Sequence, residues 1–110
     1  MIKLAEVDCD ACKIDATKLT DNEIASQLSQ LPGWAVCVED SINKLRKEFR
    51  FKNFVEALAF TNMVGALAEE HNHHPDILTE WGKVTVTWWS HKIKGLHQLD
   101  FVLALKTSGL

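Results

Sequence analysis

The spacing of the apolar residues changes abruptly at Pro75, and that change limits the folds open to the chain. Before it, Ala57, Phe60, Val64, Leu67 and Ala68 recur at helical intervals, in a stripe broadened by Phe54 and Leu58. This predicts one long amphipathic helix with that face inward, opened by Asn53 as its cap. After the proline, Ile77, Thr79 and Trp81 alternate up to a turn at Gly82-Lys83, and Val84, Val86 and Trp88 alternate with Thr85, Thr87 and Trp89. β-Branched and aromatic residues at period two around a glycine turn predict a β-hairpin. Proline disfavours helical geometry in the residue before it, so His74 is pushed towards an extended conformation and the helix should end near His71. A helix therefore turns a corner into a strand here.

The remaining segments supply partners for these two elements. Thr20 and Glu23 have capping-box spacing, with Leu19 and Ile24 at the staple positions. Ile24, Leu28 and Leu31 then form one apolar stripe, and Pro32-Gly33 is expected to end this short surface helix. Trp34, Val36 and Val38 alternate as a strand, and Glu39-Asp40-Ser41 reads as a turn. From Lys44 to Phe51, Leu45, Phe49, Phe51 and the stem of Lys47 share one face, while Lys44, Arg46, Glu48 and Arg50 share a solvated one. Leu96, Leu99, Val102, Leu103 and Lys106 resume helical spacing after Gly95 and end near Gly109. The predicted order is helix, two strands, helix, two strands, helix. That is an α+β fold, a four-stranded antiparallel sheet with three helices packed on one face. Residues 1–18 show no sustained period and read as an irregular arm, leaving 19–110 as a single domain.

Charge and cysteine content narrow the function classes. A formal net charge of −3 argues against a broad nucleic-acid-binding face, which needs a basic excess. No window of about 18 uncharged apolar residues offers a membrane span, and the N-terminus lacks the apolar core of a signal peptide. A cytoplasmic protein is expected. Cys9 and Cys12 have redox or zinc-knuckle spacing but no second pair follows, so they read as free thiols in the arm, and Cys37 as a core residue.

The corner itself carries the chemistry. Three of the five histidines fall at 71, 73 and 74, flanked by Glu69, Glu70 and Asp76; His91 and His97 follow after the hairpin. Histidine can give and take protons near neutral pH. His73 and His74 are neighbours on extended backbone, so their rings should point to opposite sides and do different work. Glu69 lies about one helical turn before His73 and can orient an imidazole or bind a substrate N–H. His91 could close a site from the sheet side. Two imidazoles flanking a small molecule suit proton removal at one atom and delivery at another, typically worth about 10²–10⁴-fold each. A zinc or iron site built from the histidines is the chemical rival, disfavoured because adjacent histidines do not easily share one metal. Solvated histidines at a helix end are the plain alternative.

Taken together, Glu69, His73-His74-Pro75, Trp81, His91 and Asp100, with Gly33-Trp34 upstream, follow the spacing of the pterin-4a-carbinolamine dehydratases over roughly residues 20–106. The chain resembles that family. The resemblance implies dehydration of 4a-hydroxytetrahydropterin to quinonoid dihydropterin and water, without cofactor or metal. It implies a catalytic set of His73, His74 and His91, with Glu69, Trp34, Asn72, Pro75 and Trp81 on the substrate. Other roles found in the family are a non-catalytic pterin-binding or transcription-cofactor-like dimerisation module, and a part in molybdopterin metabolism. The chain departs from the animal members at Asn72, where they carry aspartate, and at Leu99, where they carry arginine. Neither change touches the three histidines.

Other expectations follow from pattern. Trp88 should be core, Asp100 should favour the first turn of the last helix through its dipole, and His71 and His97 should be solvated. Family members form dimers and tetramers, so a homodimer or homotetramer is expected. Phe101 and Leu105 lie on a flank of the last helix distinct from the Leu99–Leu103 stripe, which makes them the expected subunit contact.

Overall fold

Local capping chemistry sets the helix starts. The computed structural model describes residues 18–110, so Cys9, Cys12 and nearly all of the expected arm lie outside the described residues. Helix α1 spans Asp21–Leu28 and carries the predicted capping box: the Glu23 amide donates to Thr20 Oγ1 (3.2 Å) and the Thr20 amide to Glu23 Oε1 (2.9 Å). It ends four residues before Pro32, in turns closed by Gln30 and Leu31 amides. Helix α2 spans Phe54–His71, with the Asn53 side chain accepting from the Glu56 amide at 2.9 Å. Helix α3 spans Gln98–Ser108.

The four strands are β1 (Ala35–Glu39), β2 (Ile42–Arg50), β3 (Asp76–Glu80) and β4 (Lys83–Trp88). They form one sheet in the order β1-β2-β4-β3, antiparallel throughout. Each hairpin turns in two residues. Asp40 and Ser41 both take positive φ (54° and 64°), the geometry whose twist matches the flanking strands. Gly82 (φ 71°) sits so close to Phe51 that an added Cβ would lie 3.0 Å from the Phe51 carbonyl oxygen. The Phe51 amide donates to the Gly82 carbonyl at 2.9 Å, which ties the end of β2 to the β3–β4 turn. Only glycine fits there without strain.

The alternation predicted for β2 and β4 places Leu45, Val84, Val86 and Trp88 against Ala57, Phe60, Val64 and Leu67 of α2 and Leu99, Phe101, Leu103 and Ala104 of α3, all buried. Phe60 packs against Phe49 and Phe51, with ring centroids 4.6 and 5.1 Å apart. The Lys47 stem lies on this face, and its amine donates to the Pro32 carbonyl at 3.2 Å. Gln27, buried without a periodic reason, is paired by both amide bonds to Gln98 at 2.6 Å, so α1 is pinned to α3. The element order and architecture are those read from the pattern.

Several placements differ from the sequence expectation. Phe101 is wholly buried within this one chain and Leu105 packs partly against the same core, so that flank of α3 is not the open contact surface. Phe101 and, in part, Leu105 pack within the chain, a fact no helical spacing encodes. The open apolar surface is on α2 instead: Phe54, Val55, Leu58 and Met63 are exposed, so Phe54 and Leu58 do not extend the inward stripe. Cys37 is half-buried on the sheet face away from the helices, opposite Lys44, rather than in the core. Lys44 itself, expected in solvent, is only 8% exposed. Among the described residues, no helix is long and apolar enough to cross a membrane.

Candidate active site

The corner after α2 is shaped by Asn72. It takes the left-handed conformation (φ 49°, ψ 43°), its amide donates to the Glu69 carbonyl, and the His73 amide donates to the Ala68 carbonyl at 3.1 Å. This paired closure is a Schellman motif, in which asparagine is among the few residues that tolerate the middle position. Asn72 is exposed, and its backbone conformation launches the chain towards β3. Pro75 follows, half-buried, just before Asp76 opens that strand.

The rings of His73 and His74 then diverge. His73 turns in: its Nε2 lies 2.7 Å from Asp100 Oδ1, and its ring stacks on Trp88 at 5.8 Å with planes 5° apart. Its side chain is 16% exposed. His74 turns out and pairs with Glu69, Nε2 to Oε2 at 2.5 Å, with side chains 56% and 76% exposed. Glu69 therefore orients His74 and not His73.

Asp100 is the centre of the inner cluster. Its side chain is fully buried, yet each oxygen is satisfied: Oδ1 faces His73, while Oδ2 accepts from the Ser90 hydroxyl (2.7 Å) and the His97 amide (2.9 Å). Where Asp100 is ionised it can only accept, and a neutral His73 then donates through Nε2–H and presents Nδ1 as an acceptor. The sequence assigned Asp100 only to the helix dipole. Its fuller role had a signal, a carboxylate enclosed by Leu99, Phe101 and Val102 and three residues after a histidine.

His97 is not solvated, as expected from sequence, but half-buried as the N-cap of α3. Its Nδ1 accepts from the Leu99 amide (3.2 Å), and Asp100 answers the His97 amide in a capping box. Histidine is outside the usual cap residues, which is why sequence reading missed it. Burial pushes its pKa below the ordinary histidine value, partly opposed by the Asp100 charge and aided by His73. His71 is half-buried too, with Lys106 Nζ 3.4 Å from its Nε2.

His91 directly follows Ser90, which is tied to the cluster. Ser90 bonds Asp100 by its side chain and bridges Gly95 by its backbone (2.9 and 3.4 Å), closing the short turn that begins at His91. The His91 ring is exposed and stacks on Trp89 at 4.2 Å, planes 8° apart. His73 thus rests on Trp88, the last residue of β4, and His91 on Trp89, which follows it.

Two of the predicted residues stand apart. Trp34 is buried, edge-on to Phe49, and its indole N–H donates to Ser108 Oγ at 2.8 Å. Trp81 is 73% exposed in the β3–β4 turn, at the opposite end of β3 from the histidine corner. Trp88 is core, as expected, with its N–H donating to Thr107 (3.1 Å), but its ring face also carries His73. Among the described residues, no three His, Cys, Asp or Glu side chains converge as a metal site requires.

The arrangement offers an inward imidazole backed by a buried carboxylate, an outward imidazole paired with Glu69, and a third on a tryptophan face. Comparison with known proteins gives the same neighbourhood. A crystal structure of a transcriptional coactivator/pterin dehydratase from Brucella melitensis superposes with a TM-score of 0.77 at 30% identity, covering 84% of this chain and 97% of that one. A pterin dehydratase-like protein identified as a RuBisCO assembly factor in the alpha-carboxysome shares the fold, with a TM-score of 0.58 at 22% identity over 70% of this chain and 87% of its own. The family model for pterin 4 alpha carbinolamine dehydratase matches residues 17–110, nearly the whole chain, and the chain belongs to that family.

Proposed function

We propose that this chain dehydrates a 4a-hydroxytetrahydropterin to quinonoid dihydropterin by histidine acid–base catalysis. The observation that supports this best is the His73–Asp100 pair, an imidazole whose tautomer and plane are both held while one nitrogen stays free to accept. In the reaction the C4a–O bond breaks, the hydroxyl takes a proton and leaves as water, and a ring N–H gives up its proton. His73 Nδ1 takes the N–H proton, and Asp100 stabilises the imidazolium that forms. His91 delivers the proton to the departing hydroxyl. His74, oriented by Glu69, binds that hydroxyl and aids its departure. No resident cofactor enters the scheme.

The test is turnover by single variants. His73→Ala and His91→Ala should each lower dehydration by about two orders of magnitude or more, with the circular-dichroism spectrum unchanged. Near-normal turnover in both would overturn the assignment.

A second reading concerns assembly. The exposed Val55, Leu58 and Met63 share one face of α2, and an apolar face of this kind is normally covered by a partner. We place the contact of a homodimer or homotetramer on this face.

A further inference from the structure

Lys44 and Trp89 form a feature that the dehydratase reading leaves unused. Leu45 pairs with Trp88 in the β2–β4 ladder, so continuing the register sets Lys44 opposite Trp89 on the sheet face away from the helices. The Lys44 amine lies 4.1 Å from the centre of the Trp89 ring, and the His91 ring stacks on the same indole at 4.2 Å. Both groups, a cation and an imidazole, therefore contact the one indole of Trp89.

The cation is itself fixed. Lys44 is buried, and its amine donates to Glu39 Oε1 at 3.3 Å, an oxygen also held by Arg46 at 2.8 Å. A lysine in this state does not wander, and its charge over the indole face favours one orientation of that ring. His91, by contrast, is exposed in a tight turn. An exposed imidazole samples several rotamers unless a neighbour restrains it.

We propose that Trp89, held by the Lys44 amine, is the positioning residue for His91. This rests on the reading of His91 as a proton-transfer group. The indole defines the plane of the His91 ring, so the ring reaches the substrate already oriented, and a misplacement of about 1 Å in such a group can cost 10²-fold. Lys44 acts at one remove, by fixing the indole.

Two measurements on the full chain test it. In NMR spectra, the His91 ring protons of the wild type should lie upfield of free-imidazole positions, because they sit over the indole. They should return to free positions in Trp89→Ala and remain displaced in Trp89→Phe. In dehydration assays, Trp89→Ala should lower kcat by about tenfold to a hundredfold with KM little changed. Trp89→Phe should recover most of that loss, and Lys44→Met, which keeps the stem but not the charge, should lower kcat about two- to fivefold. Unshifted His91 resonances in the wild type would overturn the proposal. So would wild-type turnover in Trp89→Ala while His91→Ala is impaired. If the wild type does not dehydrate the pterin at all, the functional reading falls, and the NMR comparison alone decides whether Trp89 holds the ring.

Discussion

Replacing Asp100 by asparagine should disable His73 without removing it. Asparagine keeps the shape of the side chain but offers one acceptor oxygen and one NH2 donor. The wild-type carboxylate accepts from three groups: His73 on Oδ1, and the Ser90 hydroxyl and His97 amide on Oδ2. If the amide NH2 were set against the His97 amide, a buried donor would lose its acceptor, at about 1–3 kcal/mol. The favoured arrangement therefore keeps the oxygen on Ser90 and His97 and turns the NH2 towards His73 Nε2. Two N–H groups cannot bond each other, so His73 must move its proton to Nδ1, the nitrogen assigned as base. Dehydration should fall by about 10²–10⁴-fold, the usual worth of a positioned general base. KM should change little, because Asp100 is fully buried and acts only through His73. The assay is the decay of 4a-hydroxytetrahydropterin, run beside 15N spectra that report the His73 tautomer. Asp100→Ala is the control: it strands three donors and should cost about 3–5 kcal/mol of stability, more than the asparagine does. A folded Asp100→Asn protein with wild-type kcat, or with the proton still on Nε2, would refute this account of the site.

Further outcomes follow from other parts of the molecule. The His97 pKa is lowered by burial, so the native state binds fewer protons than the unfolded chain just below the usual histidine value. Its contribution is present above about pH 6.5 and lost as pH falls through the folded pKa. Urea midpoints between pH 5 and 8 should show this slope, and His97→Asn, which can still cap α3, should flatten it. Val55→Glu with Met63→Glu should lower the particle mass in light scattering while the histidine cluster stays intact; a wild-type chain that is monomeric at micromolar concentration would defeat that expectation. Phe101→Glu should abolish folding, since it forces a charge into a fully buried site; a soluble, cooperatively unfolding variant would contradict the placement of that ring. Removing residues 1–16 should leave activity and thermal stability almost unchanged, and a large loss of either would show that the segment reaches the core or the site.

The sequence by itself determined whatever depends on neighbours a few residues apart. Thr20 and Glu23 marked a helix start because a capping box is closed within one turn. The switch at Pro75 from helical spacing to alternation placed the histidines on a corner, and alternation along the extended backbone separated His73 from His74. The order of elements and the single covered face of the sheet came from the same periodicities. Three histidines and a glutamate could be singled out because their chemistry is local to their side chains.

Tertiary structure decided everything that joins distant segments. Asp100 becomes the partner of His73 only when α3 crosses the end of β4, and no pattern around residue 100 states which histidine it will meet. Lys44 reads as a solvated strand residue until the β2–β4 register brings Trp89 over it. Phe101 and Leu105 share a flank on the helix, yet whether that flank meets this chain or another depends on which distant segments pack against it. On α2, spacing named the inward stripe of Ala57 and Phe60, but only the packing showed that Phe54 and Leu58, read as broadening it, stay exposed. Periodicity says which residues share a face; which surface covers that face is settled by contacts between segments far apart in the chain.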